Sequence, residues 1–147
     1  SVDSVRSRVG IERQVDMLIG PDTKLWDMAG IRQDGTYPDC IIVDEAQFLT
    51  EEQVRALSYL VDTLDVPIIC YGLRTDAFTH LFPGSAALMA LADTIEEIKT
   101  ICWCGRKAIV NARLDQYGDV MYGGEQVDVG HHYVSLCRKH WREGRVG

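Results

Sequence analysis

Two periods of apolar and polar positions divide the chain. Ile41, Ile42 and Val43 follow Cys40 as one continuous apolar run, the pattern of a short strand buried on both faces. After Thr50 the period lengthens. Val54, Leu57, Leu60, Val61 and Leu64 recur at three- and four-residue steps, which predicts an amphipathic helix. Thr50 and Gln53 supply the capping box that would start it. Val66 to Leu73, "VPIICYGL", is a second apolar run bounded by Asp65 and Arg74. Ser85 to Ala92 then reads as a helix, and Thr94 to Ile101 as a third strand. Upstream, residues 1 to 12 are polar and carry no helix or strand pattern. Val15 to Met28 suits one or two helical turns broken at Gly20-Pro21, and Asp34-Gly35 and Pro38 mark a loop. Beyond Lys99 the texture changes to cysteines, glycines, short strand-like pieces and a basic tail. A soft boundary near Lys99 separates an α/β domain over residues 1–99 from a small lobe over 100–147.

Strand and helix in alternation predict an α/β fold with a parallel sheet and crossover helices. Ligands of such sheets sit beyond the carboxyl ends of the strands. Asp44-Glu45 and the loop after Leu73 both fall there, so they should face one crevice. A carboxylate at a strand tip offers hard oxygen to magnesium, directly or through water, the role assigned here to Asp44. Successive strand side chains point in opposite directions, which leaves Glu45 to accept a proton from an attacking hydroxyl or water. By itself, an apolar strand followed by two acids reads equally well as a capped turn with a solvated glutamate.

The lobe carries Cys102-Trp103-Cys104 and Cys137-Arg138-Lys139-His140. Three thiolates and an imidazole make a tetrahedral zinc set, closed and therefore structural. The set would tie both ends of a hairpin-like lobe together. Cys40 and Cys70, inside apolar runs, read as inert core residues. Phe48, Phe78, Phe82 and Tyr133 fall in or near loops, where an aromatic face can hold a planar base or simply pack. Between the cysteine clusters, residues 118–133 include Gly118, Gly123, Gly124 and Gly130, a flexible loop able to close over a small ligand. His131 and His132 read as solvated.

Bulk properties narrow the function classes. The chain has 147 residues with 46% hydrophobic content, enough for a core. A net charge of −7 argues against coating of nucleic acid. No apolar run reaches the length that spans a bilayer, and no signal peptide opens the chain, so no membrane partner is expected. Five cysteines, two of them isolated in apolar runs, fit a reducing, cytoplasmic setting.

Several segments in order, "VDEAQFL" (43–49), "YGLRTD" (71–76), "LFPGS" (81–85), "IKTICWCGRKA" (98–108), "RLD" (113–115), "GEQV" (124–127) and "YVSLCRKH" (133–140), resemble the cellular-type (type II) thymidine kinases of the bacterial branch. "SRVG" (7–10) resembles the segment that leads into that family's first helix. The resemblance spans residues 7 to 142. It implies a P-loop NTPase fold of RecA-like type with a zinc-ribbon-like C-terminal lobe. It also implies transfer of the ATP γ-phosphoryl group to the 5′-hydroxyl of thymidine, with magnesium accompanying ATP, and assembly as a homotetramer. By the resemblance Glu45 is the general base and Asp44 the magnesium-associated acid. Phe48, Leu73 and Phe82 wall the thymine pocket, with Phe78 in place of a phenylalanine usual at Ala77. Val127, Asp128, Val129 and Tyr133 belong to a lasso loop that clasps the nucleoside through its backbone, and Cys102, Cys104, Cys137 and His140 are zinc ligands. No G-x-x-x-x-G-K-[ST] occurs in the chain; the resemblance places that loop ahead of Ser1. The lasso between Val129 and Tyr133 is about two residues shorter than the family pattern. Two other readings stay open: a different P-loop ATPase or nucleoside kinase, and a zinc-ribbon interaction module without nucleotide binding.

Overall fold

A computed structural model describes residues 4–6, 10–30 and 32–147. The segment Ser7–Val9, most of the "SRVG" stretch, lies outside them. Two apolar clusters organise the fold. The first joins Met28, Val43, Leu49, Val54, Leu57, Leu60 and Ala87. The second joins Cys102, Val110, Ala112, Leu136 and Cys137.

In the first part, β1 (Ser4–Arg6) pairs antiparallel with β2 (Glu12–Gln14), so the polar opening residues do contain a small ladder that their composition does not signal. A single short helix, α1 (Leu25–Met28), follows the Gly20-Pro21 break. β3 (Ile41–Val43) pairs in parallel with β4 (Ile68–Cys70), Ile41 opposite Ile68 and Val43 opposite Cys70. The crossover between them is α2 (Glu51–Leu64). Its capping box is complete: Thr50 Oγ1 accepts from the Gln53 N–H at 3.1 Å, and Gln53 Oε1 accepts from the Thr50 N–H at 3.1 Å. Val54, Leu57 and Leu60 are buried, each contributing about 1.5–3 kcal/mol of apolar burial. α3 (Pro83–Leu91) begins with proline in its first turn, where the missing N–H costs nothing.

Three expectations are corrected. β3 is not buried on both faces: Ile42 is 66% exposed and its register partner Ile69 45%, because α2 and α3 cover only the side that carries Ile41, Val43, Ile68 and Cys70. Cys40 is exposed rather than core, since the strand begins one residue after it. Thr94 to Ile101 forms no strand. Only Ile101 makes an isolated bridge, to Lys107, and Ile95, Ile98 and Ile101 are exposed. Their three-residue spacing does not fit a two-residue pleat.

In the second part, β5 (Val110–Leu114) and β6 (His132–Leu136) form an antiparallel pair, Val110 opposite Leu136 and Leu114 opposite His132. The hairpin-like lobe is thus present, closed by α4 (Arg138–Glu143). No helix among the described residues is long and apolar enough to cross a membrane.

Candidate functional site

The crevice forms where β3 and β4 end. The Tyr71 N–H donates to the Val43 carbonyl at 2.9 Å, and the Ala46 N–H returns to the Tyr71 carbonyl at 2.8 Å. The chain turns sharply between these two bonds. Glu45 takes a left-handed conformation, φ 53° and ψ 39°, ahead of a 3-10 turn over Ala46–Phe48. Asp44 and Glu45 therefore diverge through this turn and not through strand alternation, since the strand has already ended at Val43. Both acids are exposed. Asp44 Oδ1 accepts the Glu45 N–H at 2.9 Å, leaving Oδ2 without a protein partner among the described residues. A left-handed glutamate costs about 1–3 kcal/mol and persists only where its surroundings fix it.

Gln47 does the fixing. It is 2% exposed. Its Nε2 donates to Glu45 Oε2, and its Oε1 accepts the Leu73 N–H at 3.1 Å. One buried amide thus ties the acid after β3 to the loop after β4. Two glycines permit the close packing. A Cβ on Gly72 would lie 2.7 Å from Gln47 Oε1, and one on Gly84 would lie 2.5 Å from the Leu49 carbonyl oxygen. Ser85 Oγ adds a bond to the Leu73 carbonyl at 2.6 Å. Sequence reasoning missed Gln47; a polar residue two places after an acid pair at a strand end was the available signal.

Beside Gln47 lies a cleft of about 300 Å³, walled by Phe48, Phe82, Thr50, Gln126 and Val127. Phe48 and Phe82 meet edge to face at 5.7 Å. The structure thus gathers Phe48, Phe82 and Val127 from three segments. It does not bring Leu73, Phe78 or Tyr133 to that wall. Leu73 is exposed, and Phe78 is buried beneath the Arg113 guanidinium, 5.1 Å from the ring centre. Tyr133 lies behind the loop, its hydroxyl donating to the Asp128 carbonyl at 2.7 Å. Val129 is 87% exposed. Glu45 is not a wall residue but is joined to one through Gln47. His131, expected to be solvated, is half-buried with Nε2 3.1 Å from Asp128 Oδ2.

The cysteine-histidine set converges. The ligand atoms of Cys102, Cys104, Cys137 and His140 all lie within 4.8 Å of one another. Cys102 Sγ is 3.5 Å from His140 Nδ1, and Cys104 Sγ is 3.9 Å from Cys137 Sγ. Tetrahedral zinc with ordinary bond lengths requires about 3.8 Å between sulfurs and about 3.5 Å from sulfur to nitrogen, so the set fits such an ion. Burial pushes the Cys102 thiol up. The backbone N–H groups of Cys104 and Cys137 and the His140 and Cys104 side chains outweigh it and hold the thiol at about 6. For Cys104, the Arg106 N–H pulls down, but burial and the facing Cys102 and Cys137 side chains leave the thiol above its ordinary range. The Trp103 indole stacks on the His140 ring with centres 4.3 Å apart. Cys70, with no such neighbours, is pushed up by burial alone.

A family profile described as thymidine kinase matches residues 2–141. A thymidine kinase of Idiomarina loihiensis is 56% identical over 107 residues, covering 71% of this chain and 55% of that relative. Thymidine kinases of Shewanella oneidensis and Yersinia pseudotuberculosis are 48% and 47% identical over 141 and 144 residues, covering 95% and 97% of this chain and 73% of each relative. Matches of this extent and identity, over a chain that spans between about half and three quarters of its relatives' lengths, place the chain in the thymidine kinase family.

Proposed function

We propose that this chain is part of an ATP-dependent thymidine kinase that transfers the γ-phosphoryl group to the 5′-hydroxyl of thymidine. One observation carries the reading. An acid held in a left-handed conformation at the shared carboxyl edge of two parallel strands is bonded to Gln47, a wall residue of an aromatic cleft.

In this reading Glu45 takes the proton from the sugar hydroxyl as it attacks. Gln47 holds the carboxylate at the crevice mouth and, through Leu73, keeps the β4 loop at a fixed distance. Phe48 and Phe82, in edge-to-face contact, form one aromatic wall for the planar base, Val127 adds a second side, and Leu73, Phe78, Asp128, Val129 and Tyr133 support the pocket from outside that wall. Phosphoryl transfer is mostly positioning and charge neutralisation, and magnesium bound with ATP supplies the neutralisation. The open Oδ2 of Asp44 suits a magnesium-associated acid. The parallel β3–α2–β4 crossover supports a sheet of the P-loop, RecA-like type, and the uncovered Ile42–Ile69 face is where a second layer of helices would pack. The Cys3His set acts as a structural zinc site in a ribbon-like lobe. Free cysteines at all five positions support a reducing, cytoplasmic compartment. Homotetramer assembly belongs to the same proposal.

The test is Glu45→Gln in the full-length protein. Removing a general base should lower kcat by about 10²–10⁴-fold while leaving thymidine affinity within a factor of about two, since the amide keeps the shape and still faces Gln47. Near-normal turnover would remove Glu45 from the base role.

A further inference from the structure

Among the described residues Arg113 is the most deeply buried charged residue, 1% exposed. Filling a core with a guanidinium is expensive unless its donors are used. Here they are spent on one segment. Nη1 donates to the Glu125 carbonyl at 2.9 Å and Nη2 reaches the Gln126 carbonyl at 3.4 Å. Nε donates to the Tyr133 hydroxyl at 3.1 Å, and that hydroxyl passes its own proton to the Asp128 carbonyl at 2.7 Å. Among the described residues its one ion pair is with Asp128, Nη1 to Oδ2 at 4.0 Å. The guanidinium carbon lies 5.1 Å from the Phe78 ring centre and 5.8 Å from that of Tyr133.

These bonds set the orientation of three peptide planes. In a trans peptide the C=O and the following N–H point in opposite directions. With the carbonyls of Glu125, Gln126 and Asp128 drawn inward, the N–H groups of Gln126, Val127 and Val129 face away from Arg113. Among the described residues they meet no protein acceptor. A second anchor holds the same loop from the other side: Gln126 Nε2 donates to the buried Asp76 Oδ2 at 3.1 Å and reaches the Leu81 carbonyl at 3.4 Å.

We propose that Arg113 is a positioning residue for the loop 124–129. It locks the peptide planes so that a row of backbone donors is presented to the carbonyl edge of a pyrimidine base. The inference rests on the kinase reading for its ligand, but the locking of the loop does not. Arg113 touches no substrate; it acts through Tyr133 and the loop backbone.

The experiment compares the full-length parent with Arg113→Met, Arg113→Lys and Tyr133→Phe. It reads KM for thymidine and for ATP, kcat, and the rate of limited proteolysis within 124–129 against hydrogen exchange of the β5 and β6 amides. A misplaced loop should raise the thymidine KM by about ten- to a hundredfold in Arg113→Met. The ATP KM should stay within about twofold, because the change is confined to the loop. Cleavage within the loop should quicken by about tenfold while β5–β6 protection holds. Arg113→Lys, retaining the charge but not the fork, should recover part of both losses. Tyr133→Phe, which keeps the ring, should quicken cleavage near Asp128. Unaltered thymidine KM and loop cleavage in Arg113→Met would overturn the proposal. So would loss of β5–β6 protection along with faster loop cleavage in all three variants, since that marks a role in folding only. If the parent does not phosphorylate thymidine, the kinase reading falls, and the cleavage measurements alone then decide for or against Arg113.

Discussion

Gly84→Ala sets two effects of opposite sign against each other. Alanine in place of glycine inside a helix gains about 0.8–1.0 kcal/mol of propensity, and Gly84 is the second residue of α3. Propensity alone therefore predicts a more stable protein. The packing predicts the reverse. The new methyl would sit 2.5 Å from the Leu49 oxygen and 2.8 Å from the Ala46 and Gln47 oxygens. All three are backbone atoms of the turn that follows the acid pair, so no side chain can swing away. Restoring an ordinary 3.4 Å contact requires α3 and the turn to separate by roughly 0.9 Å. Overpacking of this kind costs about 1–3 kcal/mol, at the upper end where only backbone can yield. The net expectation is a loss of about 1–2 kcal/mol, or about 2–8 °C in Tm for a chain of this size. Phe82, at the start of α3, would move with the helix, and a shift of about 1 Å at a binding wall can cost as much as about 10²-fold in activity. The assay is thermal and denaturant unfolding of the parent, Gly84→Ala and the control Gly123→Ala. A Cβ at Gly123 meets nothing within 4 Å, so the control should stay within about 0.5 kcal/mol. A Gly84→Ala protein as stable as the parent, or more so, would refute the packing argument.

Other expectations follow from the same geometry. Glu45→Gly relieves the left-handed strain but leaves the buried Gln47 Nε2 without its acceptor, so stability should stay within about 1 kcal/mol of the parent while activity is lost; unfolding midpoints beside turnover separate the two. Thr50→Ala removes half of the capping box and should cost about 1 kcal/mol in denaturant unfolding; an unchanged midpoint would show that Gln53 alone holds the helix start. Metal analysis of protein purified without chelators should find about one zinc per chain. Cys137→Ser or chelation should loosen the lobe around β5 and β6 while leaving α2 protected from exchange, since the ligands are tied to the second apolar cluster and not the first.

α2 was legible in full because its cap, stripe and end are local signals. The cysteine-histidine set was legible because thiolate and imidazole chemistry needs few partners and the residues come in two tight pairs. Thr94–Ile101 was misread because apolar content alone does not reveal whether a strand has a neighbour to pair with. Arg113 was passed over because one charged residue in "VNARL" looks like a solvent-facing strand position, and only the loop folding back over it makes that position interior.

By itself the sequence determined the alternation of strand and helix, the acid pair at a strand end, the two cysteine-histidine clusters, and the ordered motifs that match one family. The tertiary structure alone decided which aromatics share a cleft, that Gln47 couples Glu45 to the β4 loop, that Phe78 packs under a buried cation, and that the backbone donors of the loop face outward. The physical reason is range. Helix caps, hydrophobic periods and ligand types act within a few residues, so they are written in the chain's order. A buried hydrogen bond between residues tens of positions apart depends on every element that brings them together.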